Sequence, residues 1–206
     1  MRRKQKVRGQ INRTETRFVL IGVEGERNKT ERQYFSELIK GNNSFKLFFA
    51  KGNATDPKGI VEEVTNSIND YDIDLSGGDL AFAVMDSDAN PLKQIKIWDA
   101  VSEAKKNGVE VIISTPVFEI WFLNHFLKSP STKYYGGYDD VKKDLIKYIP
   151  DYEKNNRVFH LLKDKTIQAV NNAKLLAKYH YRLGRDEYSV ESNPSTSVYK
   201  IIEKIK

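Results

Sequence analysis

The sequence predicts an α/β fold in which a parallel four-stranded sheet has helices on both faces. Three observations predict it. Four short apolar runs alternate with amphipathic segments over residues 17–129, as in chains of βα units. The connections between them are short. Two of the runs end in acidic residues, as expected where a parallel sheet presents its carboxyl edge.

The four strand candidates are apolar runs rather than alternating patterns. The clearest is Leu80 to Met85, six apolar residues that run directly into Asp86-Ser87-Asp88. A short, bounded run of this kind indicates a strand buried on both faces. The first run ends in Glu24, and Pro116 ends the last. The predicted strands are residues 17–24, 44–51, 79–86 and 109–115.

The helix candidates begin at capping sequences or carry one apolar face. Thr30-Glu31-Arg32-Gln33 is a capping-box pattern, and Asn90-Pro91 is an N-cap followed by proline. Apolar residues recur at helical spacing in segment 58–70 and in segment 195–205. The predicted helices are residues 30–40, 58–70, 91–107, 118–127, 138–149, 164–183 and 195–205.

The domain organisation follows from a change of character after residue 129. Ser129-Pro130-Ser131-Thr132 predicts a loop, and the chain beyond it is helical, polar and aromatic. We therefore expect a basic arm over residues 1–16, an α/β core over 17–129 and a helical extension over 130–206 packed on the core. The oligomeric state stays open, and an oligomer is possible.

The composition excludes several kinds of site. The chain has no cysteine, and its three histidines lack the spacing of metal ligands, which argues against disulfides, thiolate chemistry and zinc. It carries no Walker loop and no Gly-x-Gly-x-x-Gly motif. No apolar segment is long enough for a bilayer, and the N-terminus does not resemble a secretory signal. We therefore expect a cytoplasmic protein that does not associate with membranes.

The net positive charge of the chain comes from its first residues. Residues 1–13 hold six of the 34 Lys and Arg side chains and no acid, and the other 28 match the 28 Asp and Glu residues. Such an arm, with Arg2, Arg3 and Lys4 at its start, suits a polyphosphate such as nucleic acid. A solubilising end with no binding role is the alternative.

Glu24, Asp86 and Asp88 form the strongest chemical motif. Asp86 and Asp88 leave a buried strand one residue apart, which lets two carboxylates converge on one cation. Carboxylates of this kind hold Mg²⁺, and Mn²⁺ is possible too. Glu24 could hold the same ion or move a proton, but only if strands 1 and 3 are neighbours, which requires the strand order 2-1-3-4. The alternative is that both aspartates are ordinary loop acids and caps.

Five further residues could belong to a site or serve the structure alone. Glu119 follows the fourth strand inside an apolar stretch, where it could serve the same site or pair with a lysine of the helical extension. Asn193, Ser195 and Thr196 open the last predicted helix, where they could bind a phosphate or simply cap the helix. Glu31 lies in the first turn of a helix, where an acid is favourable, and we interpret it as structural.

These motifs together resemble the RloB-like protein family. The resemblance rests on Val23-Glu24-Gly25-Glu26 with Thr30-Glu31 and Tyr34-Phe35, on Asp86-Ser87-Asp88, on Pro116 to Trp121, and on Asn193-Pro194-Ser195-Thr196. It spans about residues 17–206. The family is similar to Toprim-domain proteins, which implies a Toprim-like (Rossmannoid) core. Arg27-Asn28-Lys29 makes the loop after Glu26 longer than in the family pattern.

The resemblance also implies a function. Glu24 would be the acid–base residue, and Asp86 and Asp88 would be metal ligands. The protein would then be a Mg²⁺-dependent nuclease for DNA or RNA that acts in antiphage defence with an RloA-like ATPase encoded nearby. A second hypothesis is a non-catalytic adaptor that binds nucleic acid and regulates that ATPase. Strand rejoining is a third, and it would require a nucleophilic tyrosine from another domain.

Overall fold

The computed structural model describes residues 16–25 and 30–206. The basic arm, with Arg2, Arg3 and Lys4, lies outside these ranges, as do Glu26 and the 27–29 loop. The expectations for those residues therefore stay predictions.

One mixed sheet lies at the centre of the described chain. Its strands follow the order β2-β1-β3-β4-β5, so β1 and β3 are neighbours, as the shared-site hypothesis requires. The first four strands pair in parallel, and β5 pairs with β4 in the antiparallel sense. The strands are β1 (Arg17–Val23), β2 (Phe45–Phe49), β3 (Leu80–Asp86), β4 (Glu110–Thr115) and β5 (Ser195–Thr196).

The prediction of four strands was wrong, because the chain returns near its end to add β5. Ser114 pairs with Thr196 in the sheet, and Thr115 pairs with Ser195. Ser197 extends the contact, since its backbone N–H donates to Ile113 O and its Oγ accepts from Ile113 N. A two-residue strand has no detectable periodicity, so the sequence favoured a helix from residue 195. That helix begins only at Tyr199.

Eight α-helices surround this sheet in the described residues. Asp56 Oδ1 accepts from Gly59 N at the start of the second helix, and Asn90 Oδ1 accepts from Leu92 N at the start of the third. The short helix at residues 159–162 was not predicted. The helices are α1 (Thr30–Ile39), α2 (Pro57–Asp70), α3 (Pro91–Lys106), α4 (Glu119–Asn124), α5 (Tyr138–Leu145), α6 (Phe159–Leu162), α7 (Thr166–Arg182) and α8 (Tyr199–Lys204).

The sheet buries both of its faces, so the predicted helices on both faces are confirmed. Val19, Ile21 and Val84 face a core that includes residues of α1, α4, α7 and α8. Leu20 and Met85, one position away on the same strands, face a second core with α2 and α3. Because β1 and β3 are buried on both faces, their polar side chains emerge only where the strands end.

Asp144 of α5 makes hydrogen bonds that link the loop before α5 to the helix. Its carboxylate accepts from Lys133 Nζ at 2.7 Å, from Lys147 Nζ at 2.6 Å and from the Tyr135 hydroxyl at 3.0 Å. The two ammonium groups lower the pKa of Asp144 to about 2. The stability that this network supplies is therefore present above the ordinary pKa of 3.8 and is lost as the pH falls towards about 2.

We expect Asp144→Asn to lower the free energy of unfolding at neutral pH by about 1–2 kcal/mol, after allowance for the exposure of both lysines. The difference from wild type should shrink as the pH falls below 4, because the wild-type carboxylate becomes protonated. Urea unfolding across this pH range measures both effects. Asp139→Asn, at an exposed position of the same helix, is the matched control. Equal loss of stability in both variants would contradict the assignment.

Candidate functional site

A small acidic pocket lies at the carboxyl edge of the sheet. In the parallel register Val23 pairs with Val84 and Asp86 pairs with Ser114, so the ends of β1, β3 and β4 lie side by side. The pocket has a volume of about 90 Å³. Its lining combines five carboxylates with one hydroxyl and one lysine: Glu24, Glu31, Asp86, Asp88, Glu119, Thr30 and Lys154.

The loop after β3 presents Asp88 through a constrained backbone. Ser87 N donates to Ser114 O and Asp88 N donates to Pro116 O, both at 2.9 Å, so the loop is tied to the chain that leaves β4. Asp88 and Ala89 then adopt positive φ values of 53° and 49°. Neither residue is glycine, so each costs about 1 kcal/mol or more in backbone strain. Strain of this kind is common where a side chain must be held in place for function.

Lys93, from the first turn of α3, joins two of the predicted site residues. Its ammonium group donates to Glu24 Oε2 at 3.0 Å and to Asp88 Oδ2 at 2.6 Å. The Lys93 side chain is only 12% exposed, whereas those of Glu24 and Asp88 are 29% and 51% exposed. Burial lowers the pKa of Lys93, but the hydrogen bond that Lys93 donates to Asp88 and the charge of Glu24 outweigh it and leave this pKa above its ordinary value. Lys93 is therefore charged at neutral pH and neutralises part of the pocket.

Asp86 carries a large electrostatic cost in the pocket. Burial and the nearby carboxylates of Glu31, Glu119, Asp88 and Glu24 hold its pKa well above the usual range. The side chain lines the pocket, and the residue as a whole is partly exposed. Ionised carboxylates crowded in this way repel one another, and a bound cation would relieve that repulsion.

Glu119 begins α4 and is almost completely buried. Tyr152 donates its hydroxyl to Glu119 Oε1 at 3.1 Å. Burial raises the pKa of Glu119, and the charge of Lys154 and the Tyr152 hydrogen bond act against that rise. Glu119 therefore lines the acidic pocket, and the charge of Lys154, from the later helical region, lowers its pKa.

We expect Tyr152→Phe to lower the free energy of unfolding by about 1–3 kcal/mol, because it removes the hydroxyl donor of a buried carboxylate. The pKa of Glu119 should rise further above its ordinary value. Guanidinium unfolding measures the first effect. Tyr148→Phe removes a hydroxyl from an exposed side chain and is the control. Unchanged stability of the Tyr152 variant would show that this hydrogen bond contributes nothing to the fold.

The donor set fits a hard divalent cation in its chemistry. All five acidic side chains offer oxygen ligands, which Mg²⁺ prefers. Yet within residues 16–25 and 30–206, no group of three or more His, Asp or Glu side chains has the arrangement of a ready metal site. The ammonium of Lys93 instead lies between Glu24 and Asp88. A cation that bound these two residues together would have to displace Lys93.

The other predicted site residues lie elsewhere. Asn193 exchanges two hydrogen bonds with the backbone of Tyr135, at 3.2 and 2.7 Å, and Thr196 Oγ1 is 2.9 Å from Ser114 Oγ. The side chains of Asn193 and Thr196 therefore make hydrogen bonds within the fold. Ser195 Oγ is buried and has no hydrogen-bond partner among the described residues. Ser195 and Thr196 line a separate cavity beside β5, together with Lys174, Lys178, Arg185 and Lys200.

Two residues that line the pocket, Glu31 and Lys154, and one that contacts its carboxylates, Lys93, were not predicted as site residues. A lysine in the first turn of a helix is unfavourable for the helix dipole, and that is the signal that could have pointed to Lys93. Glu31 was interpreted as structural because the helix dipole alone favours an acid in the first turn of a helix. Lys154 follows a run of irregular sequence and gave no signal.

A protein-family model described as RloB-like protein matches residues 19–205, nearly the whole chain. The chain belongs to the RloB-like family. No curated protein and no solved structure matched it. The matched range contains β1 from residue 19 onward and all of β2, β3, β4 and β5. No helix of this RloB-like protein, within the described residues, has the length and apolar character to cross a bilayer.

Proposed function

We propose that this RloB-like protein is a Mg²⁺-dependent nuclease with a Toprim-like core, which hydrolyses phosphodiester bonds in DNA or RNA. One observation carries the proposal. Five carboxylates from four segments line one small pocket at the carboxyl edge of a parallel sheet, and burial together with this crowding raises the pKa of Asp86. Proteins accept such a cost where the charge serves binding or catalysis.

The roles follow from the residues in the pocket. Asp86 and Asp88 would hold the cation, which supplies charge neutralisation at the phosphate oxygens and activates water. Glu24 would accept a proton from the attacking water or return one to the leaving oxygen. Hydrolysis forms one bond between phosphorus and the water oxygen, and it breaks one bond between phosphorus and a sugar oxygen. With Asp88 held by the cation, Lys93 would keep Glu24 as a partner and could also pair with a phosphate oxygen.

We propose in addition that the nuclease is an antiphage effector whose partner is an RloA-like ATPase encoded nearby. This part rests on the family resemblance of the motifs. The basic arm at residues 1–16 would add nonspecific affinity for nucleic acid.

The test is a cleavage assay on single- and double-stranded DNA and RNA, with Mg²⁺, Mn²⁺ or EDTA, with and without the ATPase. We expect cleavage with either metal and none in EDTA. An Asp86→Ala, Asp88→Ala double variant that cleaved as well as wild type would contradict the proposal.

One observation favours a second candidate, the non-catalytic adaptor. Lys93 already neutralises Glu24 and Asp88, so these two carboxylates are satisfied without a metal. An adaptor would bind nucleic acid without cleaving it, and the double variant would retain that binding. The same assay, followed by a binding measurement on the uncleaved substrate, separates the two functions.

A further inference from the structure

A second cavity adjoins the acidic pocket and differs from it in chemistry. It has a volume of about 250 Å³. Aromatic side chains form much of its wall: Tyr34, Phe49, Phe122 and Phe159. This volume is below the range of roughly 300–1,000 Å³ that is usual for drug-sized ligands. The cavity therefore suits a small planar group rather than a helix or an extended peptide.

The two cavities share structural elements. Thr30 lines both of them, so the first turn of α1 separates the aromatic cavity from the acidic pocket. Segment 154–159 also borders both, with Lys154 at the acidic pocket and Asn156 to Phe159 at the aromatic cavity. Asn155 N donates to Thr30 Oγ1 at 3.2 Å, which joins these two elements at the boundary. A ligand bound in one cavity therefore lies beside the other.

The polar groups of the aromatic cavity suit a nucleobase. Gln33 Oε1 is buried and has no hydrogen-bond partner among the described residues. A side-chain amide offers both a donor and an acceptor, as the edge of a base requires. The Arg32 guanidinium lies 4.7 Å from the centre of the Phe49 ring and donates to Ala50 O, so it is held against the aromatic wall. Arg157, which also lines the cavity, is exposed and could contact a phosphate.

We propose that this aromatic cavity binds the base of one unpaired nucleotide of the substrate and thereby positions its phosphate at the acidic pocket. The inference rests on the proposed nuclease function and deepens it, because it names single-stranded or locally unpaired nucleic acid as the substrate class. A base inside a duplex cannot enter a recessed cavity unless it leaves the stack. Stacking on aromatic side chains tolerates different bases, so the cavity imposes little sequence preference.

The experiment is saturation-transfer NMR with the four 5′-ribomononucleotides and the full chain in EDTA, where no cleavage occurs. We expect the base protons to receive the strongest saturation. Phe159→Ala should lower the affinity at least about fivefold, the lower range for loss of a stacking partner. Phe159 is partly buried, so Arg157→Ala, at an exposed position, provides a second variant that leaves the core intact. Lys163→Ala, an exposed basic residue outside the cavity, is its control and should bind as wild type does.

Two outcomes would overturn the inference. One is the absence of saturation transfer to the base protons. The other is equal affinity in wild type, Phe159→Ala and Arg157→Ala. The first would also favour a protein partner as the occupant of the cavity.

The Asp86→Asn variant separates this inference from the proposed function. It should retain saturation transfer to the base protons and yet fail to cleave nucleic acid. Cleavage that depends on Asp86 without base binding would overturn only the inference. Base binding by a protein that cleaves nothing with either metal would overturn only the nuclease function.

Discussion

Asp86→Asn is expected to abolish metal-dependent cleavage and to stabilise the protein. The amide keeps the shape of the side chain but removes the negative charge that would hold the cation. We expect the cleavage rate to fall at least about 10³-fold, which corresponds to roughly 4 kcal/mol of transition-state stabilisation. Single-turnover cleavage of a labelled oligonucleotide measures the change.

The gain in stability follows from the electrostatics of the pocket. Because burial and neighbouring carboxylates raise the pKa of Asp86, its ionised form is disfavoured in the folded protein, and it contributes most stability at low pH. The neutral amide removes this penalty. In EDTA at neutral pH we expect the free energy of unfolding to rise by roughly 0.5–2 kcal/mol.

The control for this variant is Asp99→Asn, which changes an exposed aspartate of α3 in the same way. It should alter neither cleavage nor stability. An Asp86→Asn variant that lost stability in EDTA would show that the crowded carboxylates are not a cost to the fold.

Lys93→Met is expected to destabilise the metal-free protein. It is also expected to increase the rise in melting temperature that divalent cations cause. Methionine keeps the apolar stem but leaves Glu24 and Asp88 without their shared cation. In EDTA we expect a loss of about 1–2 kcal/mol, reduced from the value for a buried pair because Asp88 is half exposed. Since the pKa of Lys93 is raised, this contribution is fully present at pH 7 and is lost only above about pH 10.

The response to metal distinguishes Lys93 from an ordinary ion pair. In wild type a cation has to displace the ammonium, whereas in the variant it meets two unpaired carboxylates. Added Mg²⁺ or Mn²⁺ should therefore raise the melting temperature more in Lys93→Met than in wild type. Lys96→Met, at an exposed position on the same helix, is the control. Equal metal-induced shifts in all three proteins would show that Lys93 and the metal do not share a site.

The sheet was predictable where the apolar runs are continuous. Leu80 to Met85 is buried on both faces, and its length and composition leave only the strand interpretation open. The order β2-β1-β3-β4 followed from the single requirement that Glu24 and Asp86 share an edge. β5 was not predictable, because its two residues have no periodicity and their pairing with β4 spans about 80 positions.

The pocket was predictable for side chains at or just after a strand end, and for Glu119, an acid inside an apolar stretch. Glu24, Asp86 and Asp88 occupy such positions, and all three line it. Glu31 and Lys154 line it from a helix and a loop, and Lys93 contacts two of its carboxylates from another helix, so their convergence depends on tertiary packing. The pairing of Lys93 with both Glu24 and Asp88 could not be predicted from the sequence. A cation that binds either carboxylate has to compete with this ammonium group.

We propose above all that the acidic pocket binds one divalent cation through Asp86 and Asp88. A titration of the full chain with Mn²⁺, followed by electron paramagnetic resonance of the free ion, tests this binding without knowledge of the substrate. We expect one site per chain in wild type, competition by Mg²⁺, and loss of that site in the Asp86→Asn, Asp88→Asn double variant. Equal Mn²⁺ binding by wild type and the double variant, or no binding by either, would contradict it.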